Sequence, residues 1–372
     1  MIKSIAFENY KAFGSKETLE LRPITVLVGK NSSGKTSICR LFPLLELLFT
    51  GTNKYCDSRH TITLKTFHKS MLSGLEFTVT QDDNSSITTD FLVDKGVVYV
   101  RSIKFKSAHP SDQKSFSFED MINKPLESFD FVSYFKSQQS DVSPFVPVPL
   151  YIGPVREQME NNVITYTQNK TIGVGQSGAG AYQMLISSYR GDNKLLNSVS
   201  KWLDINLEGQ TLDINSVAGL EQDYTVNVNH YGVGVPIKEV GQGLSQVLPI
   251  ITQAFSEIAP EFTVIEQPEL HLHPAAHASV AECLAISAKE RGRKYVVETH
   301  SENFLLGLRK MVSDPNTDFS PNDVIIYFVE TDEEGSFLKK IEILENGELT
   351  QWPTGVFGES FDLLNQIKNN KR

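Results

Sequence analysis

Cysteine is scarce in this chain. Three in 372 residues, Cys39, Cys56 and Cys283, are too few and too scattered for a zinc set or a disulfide framework, and buried thiols are the expected state. Long apolar runs are missing too. The most apolar stretch, Ile38 to Phe49, carries Arg40 and Glu46 and is shorter than the roughly 20 residues a bilayer span requires, so it is expected as a core helix and no membrane partner is expected. The opening "MIKSIAFENYKAF" has charges spread through it and no apolar block of a signal peptide, which points to a cytoplasmic protein. Basic charge is outweighed: 35 Lys and Arg against 45 Asp and Glu leave a net charge of −10. That balance argues against a surface that coats nucleic acid indiscriminately. A local patch is still allowed, the best being Arg101 to Lys114, where Arg101, Lys104, Lys106 and Lys114 interleave with apolar residues, but a solvated strand face is the preferred explanation of it. No heptad array is sustained, which excludes long coiled-coil arms.

What remains is a globular composition, 40% hydrophobic and 22% charged, in a chain long enough for one large domain or two ordinary ones. Ile2 to Glu8 alternates apolar and polar residues and Thr18 to Leu21 follows a turn near Gly14, so two paired strands are expected. "ITVLV" after Pro23 reads as a strand buried on both faces, followed by a helix from near Lys35. Thr61 to Val100 has the short, punctuated runs of an antiparallel meander. Asn161 to Gly234 passes from a glycine-rich stretch through amphipathic ones to a strand-like return, "YTVNVNHYGV", and is expected as an inserted helical lid. From Gly243 helices alternate with apolar strands, the pattern of an α/β core with a parallel sheet.

The strongest motif is "ITVLVGKNSSGKTS", in which Gly29 is followed after four residues by Gly34, Lys35 and Thr36. Its glycines let the backbone curl so that N–H groups of Gly29, Lys30, Asn31, Ser32, Ser33, Gly34 and Ser37 face a phosphate at a helix N-terminus. Lys35 neutralises the β and γ phosphates and Thr36 offers a hydroxyl to Mg²⁺. Nucleotide binding with Mg²⁺ follows, and such a loop alone fits kinases, GTPases and many motors. Two further stretches carry chemistry. "EVGQGLSQVLP" puts Gly241, Gly243 and Ser245 at a helix start, a second anion-binding terminus or an ordinary cap. "YVVETHS" ends a buried strand and places His300 one residue past a threonine, where it can polarise a γ-phosphate or an attacking water, or be a plain loop histidine.

In this order the stretches resemble the ABC-type ATPases related to SMC, RecF and OLD proteins, in particular the compact bacterial AAA15-like group. "NYKAF" resembles their N-terminal hallmark, "GKNSSGKTS" the Walker A, "VGQGLSQVLP" a degenerate signature, "VIEQPELHLHP" the Walker B with D-loop, and "VVETHSENF" the switch histidine. The tail with "IIYFVE", "GELTQWP" and "GVF" resembles a small C-terminal domain of unknown function found in such ATPases. The likeness covers nearly the whole chain. It implies an α/β fold, the ABC-type P-loop NTPase head of mixed sheet plus antiparallel β subdomain with an inserted helical lid. The expected segments are 1–160 and 235–320 for the head, 161–234 for the lid and 321–372 for the accessory region.

By the same resemblance, Thr36 and Glu266 hold Mg²⁺, Gly241, Gly243 and Ser245 belong to the signature that reaches across a head-to-tail homodimer or higher even oligomer, and His300 senses the γ-phosphate. Lys11 lies near the nucleotide, and the Q-loop glutamine falls among those between Gln113 and Gln158. Gln267 takes the place of the residue that orients or deprotonates water. An amide orients water without accepting its proton, so turnover is expected to be slow. Glu269 and Glu298 are alternative carboxylates, or else capping or surface residues. His271 and His273 are expected as D-loop contacts before a helix start at Pro274, since no further Cys or His completes a zinc set. OLD nucleases carry a TOPRIM domain after the ATPase; about seventy residues follow His300 here without the required acidic layout, so intrinsic nuclease activity is not expected. Two readings remain: an ATP-dependent dimer that scaffolds an effector protein (nuclease or toxin) in anti-phage defence, and a RecF- or SMC-like DNA-maintenance ATPase. A third is an ATP switch without hydrolysis.

Overall fold

In the computed structural model of the chain, residues 1–50, 74–94, 97–107, 118–138, 143–158, 163–168, 173–258, 260–352 and 366–368 are described. Cys56, Gln113, Lys114, the start of the expected meander (61–73) and the tail stretch 353–365 lie outside them. The chain opens with β1 (Ile2–Glu8) and β2 (Glu17–Glu20), then runs through β3 (Ile24–Gly29) into α1 (Lys35–Thr50). Next come β4 (Leu75–Gln81), β5 (Ser86–Asp94), β6 (Val97–Lys106), β7 (Phe118–Pro125), α2 (Phe131–Ser137) and β8 (Pro149–Ile152). The middle segment holds β9 (Val163–Thr165), α3 (Gly180–Arg190), α4 (Lys194–Asn206), β10 (Thr211–Ser216), β11 (Asp223–His230) and β12 (Val233–Pro236). The last part is α5 (Gln242–Phe255), β13 (Phe262–Glu266), α6 (Pro274–Arg291), β14 (Lys294–Glu298), α7 (Glu302–Ser313), β15 (Val324–Thr331) and β16 (Ser336–Ile341).

The continuous apolar runs become the central sheet, in the order β16, β15, β3, β14, β13, β8. Its strands are parallel except for β16, which pairs antiparallel with β15. Every residue of β3, β8, β13 and β14 is buried, as a sheet covered on both faces requires. On one face α1 is sandwiched against the antiparallel sheet β2, β1, β4, β5, β6, β7; Leu27, Val264, Val296 and Ile325 share a core there with Ile38, Phe42 and Phe77. On the other face Val26, Ile265 and Val297 pack with α5, α6 and α7 and with the middle segment.

The segment expected as a helical lid also carries a sheet: β11 pairs with β10 on one side and with β12 and β9 on the other. The reason lies in alternation: Leu212 and Ile214, and Tyr224, Val226 and Val228, are buried while their neighbours are not, which is the period of a half-buried strand. The C-terminal region is continuous with the head. β15 lies beside β3, and the Arg22 guanidinium donates to the carbonyls of Pro321 and Val324 and to the carboxylates of Glu20 and Glu342. No helix among the described residues is long and apolar enough to cross a membrane.

Close helix packing sets how α7 lies on α6. A Cβ added to Gly307 would meet the Ala278 carbonyl oxygen at 2.7 Å and its Cα at 2.9 Å. Gly307→Ala is therefore expected to destabilise the fold by about 1–3 kcal/mol through overpacking, although alanine is the better helix former. Gly234→Ala, with nothing within 4 Å of the added carbon, should be near neutral. Thermal unfolding of the pair decides: equal melting points would refute the close approach.

Candidate functional site

β3 ends at Gly29, and the backbone then curls into α1 through residues that few side chains tolerate: Gly29 has φ +148°, Ser32 +64° and Gly34 +105°. The loop is tightly held. A Cβ on Gly29 would strike the Val329 carbonyl oxygen at 2.5 Å, and one on Gly34 would crowd the Phe13 ring at 3.1 Å. The amide of Ser336 donates to the carbonyl of Ala12, so the N-terminal loop and the β15–β16 hairpin clasp the curl from outside. Lys35 is buried and its ammonium donates to the carbonyls of Gly29 (3.0 Å) and Lys30 (2.6 Å). Burial lowers its pKa, against the raising effect of the Glu298 charge. Among the described residues Ser33 Oγ is buried with no hydrogen-bond partner, an orphan that a phosphate oxygen would satisfy. The helix start adds open N–H groups, so the loop fits a polyphosphate.

A cavity of about 330 Å³ opens beside this loop, lined by Lys11, Ala12, Asn31, Ser32, Gly34, Lys35, Thr36, Ser37, Gln267, Glu298 and His300. The ends of β3, β13 and β14 thus bring together residues more than 200 positions apart in the chain, as the Thr36–Glu298 separation of 262 residues measures. Glu298 is neither a surface residue nor a helix cap: it is buried, and the Thr36 hydroxyl donates to its carboxylate at 2.9 Å. Glu266 sits beside it, because the parallel register pairs the two residues and so points them to the same face. Tyr151 donates its hydroxyl to Glu266, and Arg40 hydrogen-bonds Tyr151. Carboxylate oxygens of Glu266 and Glu298 and the Cys39 sulfur all lie within 4.8 Å of one another. Burial raises the pKa of both acids, and each also feels a neighbouring negative charge. The Cys39 thiol is pushed well above its ordinary value by burial, so it is a neutral donor. Thr36 and the two carboxylates are the hard oxygen ligands that Mg²⁺ prefers.

Gln267 lines the cavity with its backbone at φ +46°, its N–H donating to the Glu298 carbonyl. Glu269 is the partner of the His300 amide, which donates to it at 2.7 Å. Burial and then the Lys35 charge lower the His300 pKa, favouring neutral imidazole. His273 caps α6 ahead of Pro274. His277, one turn on, joins two loops: its Nε2 lies 3.2 Å from the Leu272 carbonyl and its Nδ1 lies 2.7 Å from Ser301 Oγ. A carbonyl only accepts, so Nε2 carries the proton.

Gly241, Gly243 and Ser245 do not line this cavity. They form the first turn of α5, where Gly243 abuts the His271 carbonyl (2.7 Å from an added Cβ) and Ser245 Oγ donates to the Gln242 carbonyl. The residue that sequence reasoning misses is Arg156. It is buried, its guanidinium donates to the carbonyls of Glu266, Gln267 and Gln246, and Gln246 Nε2 returns a bond to the Arg156 carbonyl. Burial pulls its pKa down to about 10. It ties α5 to the end of β13. Tyr151 escapes sequence reasoning as well; nothing local marks either residue, since their partners lie 90 to 115 positions away. Gln158 donates to the Lys238 carbonyl, away from the cavity.

The buried acids give the fold a definite pH response. Because the folded-state pKa of Glu298 lies above its ordinary 4.5, its burial is least costly below that value and weakens the fold as pH rises through the folded pKa. Without nucleotide or divalent cation, Glu298→Gln should melt above wild type near neutral pH, with the gap closing as the pH falls toward 4.5. Thermal melts across that range check the sign, and a variant that melts lower near neutrality contradicts it.

Comparison with known proteins gives the family and the fold. A family model described as "AAA domain, putative AbiEii toxin, Type IV TA system" matches residues 24–307, and one described as a protein of unknown function matches 319–367. The Old nuclease of Escherichia phage P2 is 23% identical, with 82% of this chain and 57% of that protein covered, so the chain spans little more than half of the relative's length. An SMC head bound to the C-winged helix domain of ScpA superposes with a TM-score of 0.51 at 10% identity, over 92% of this chain and 98% of that one. The SMC head domain from Thermotoga maritima gives 0.45 at 11% identity, over 92% and 99%. With a phosphate loop, a paired-acid strand end and α5 all inside the matched span, the chain belongs to the AAA-domain family of putative AbiEii toxins, and it has the ABC-type P-loop ATPase fold of SMC and OLD proteins.

Proposed function

We propose that the protein binds ATP with Mg²⁺ and hydrolyses it slowly, and that the ATP-bound form is a dimer that regulates a partner effector. The observation that carries the reading is the convergence of Lys35, Thr36, Gln267, Glu298 and His300 on one cavity. Lys35 and the N–H groups of the curled loop would hold the phosphates. Thr36 and Glu266 would hold the metal, which supplies charge neutralisation at the phosphate oxygens. Gln267 would orient water through its amide oxygen, and as it cannot take the proton, turnover is slow. His300, favoured neutral, would contact the terminal phosphate. Gly241 is exposed and Gly243 partly so, outside their own chain's cavity, as residues that serve a second copy's nucleotide would have to be, whereas Ser245 is buried and its hydroxyl is taken by the Gln242 carbonyl.

An effector in anti-phage defence is the reading of process that we favour. The matched family is described as a toxin of a toxin–antitoxin system and the curated relative is a phage nuclease, so nucleases and toxins are the partners to look for. The acidic balance of −10 weighs against a DNA clamp.

ATP turnover and light scattering test the reading together. Wild type should hydrolyse ATP above a Lys35→Ala control, Gln267→Glu should speed turnover by on the order of 100-fold, and dimer mass should rise with ATP in wild type and not in Lys35→Ala. Wild-type turnover no higher than the control would sink hydrolysis and leave an ATP switch. ATP-independent mass would sink the dimer reading.

A further inference from the structure

The two buried acids are not equivalent. Glu266 accepts from Tyr151 and has the charges of Arg40 and Arg156 nearby. Among the described residues, the side chains that donate to Glu298 are small and neutral, the Thr36 hydroxyl and the Cys39 thiol, while Lys35, its cationic neighbour, donates to backbone carbonyls. Glu298 also lines the cavity, which Glu266 does not. Thr36 Oγ1, the atom the phosphate loop offers to the metal, lies 2.9 and 3.2 Å from the two oxygens of Glu298. A hard cation taking the place of that hydrogen bond would therefore meet Glu298 first. Two acids held within 4.8 Å in a buried place repel each other, and a divalent ion between them removes that cost.

We propose that Glu298 is a second carboxylate of the divalent-cation site, sharing with Glu266 the Mg²⁺ that accompanies ATP, and that without nucleotide it occupies the Thr36 hydroxyl in the metal's place. This rests on the ATPase reading above. The site then differs from one with a single strand-end acid: it has one more negative charge for the cation, and Thr36 has two alternative partners. Metal binding and release of Thr36 from Glu298 become one event.

The test is ATP affinity measured by calorimetry in EDTA and in Mg²⁺, for wild type, Glu298→Gln, Glu298→Asp and Glu266→Gln. Wild type should bind more tightly with Mg²⁺. Glu298→Gln should keep its affinity in EDTA and lose the gain from Mg²⁺ by roughly 10- to 100-fold, and Glu298→Asp should recover part of it with the larger Mn²⁺ or Ca²⁺. Melting points without ligand verify that each variant is folded; if Glu298→Gln does not fold, Glu298→Asp decides. Full Mg²⁺ gain in folded Glu298→Gln or, failing that variant, unchanged metal preference in Glu298→Asp overturns the role of Glu298 alone. No ATP binding by wild type in either condition sinks the ATPase reading and this assignment with it.

Discussion

Two glutamates in register at the ends of neighbouring buried strands are the constraint around which the site is arranged. Parallel pairing puts Glu266 and Glu298 on the same face of the sheet, under the first turns of α1. Ionised acids in such a place are expensive unless hydrogen-bonded or paired. Their surroundings meet that demand: Tyr151 and Arg40 on one side, Thr36 and Cys39 on the other, with Thr36 and Cys39 three residues apart on α1 and so on one face of it. The same helix start that shields the acids presents the phosphate loop, so the curled loop and the paired acids meet at one helix terminus.

The surrounding elements then hold that terminus from several directions. The N-terminal loop and the β15–β16 hairpin press on Gly34 and Gly29, which accounts for the continuity of the C-terminal region with the head. Arg156 links α5 to the last residues of β13, and His277 links the loop after β13 to the start of α7. Any shift of α5 would be felt at Gln267 through Arg156, because a buried guanidinium with three carbonyl partners has no easy alternative. His300 shares in this through the amide bond to Glu269.

Legibility from sequence follows the range of the interactions. The phosphate loop is legible because its geometry is local: glycines that permit the curl, a lysine and a threonine at the helix start. The buried strands are legible from apolar runs, and α1 from its all-round hydrophobicity. Of the sheet formed by β9 to β12, the alternation of "YTVNVNHYGV" is legible as strand, whereas β9, Val163–Thr165, has three residues, too few for a period to register. Glu298 resembles a surface or capping acid because "VVETHS" says nothing about which strand lies next to it.

By itself, the sequence determined the phosphate loop, the alternation of strands and helices, and the glutamine that follows the strand-end acid Glu266. Each depends on residues adjacent in the chain or one turn apart. Only the tertiary structure decided which acid Thr36 faces, which tyrosine and arginines steady the other, and which helix Arg156 fastens. Those choices depend on strand order and register across 90 to 262 positions of chain, where no local pattern carries the information.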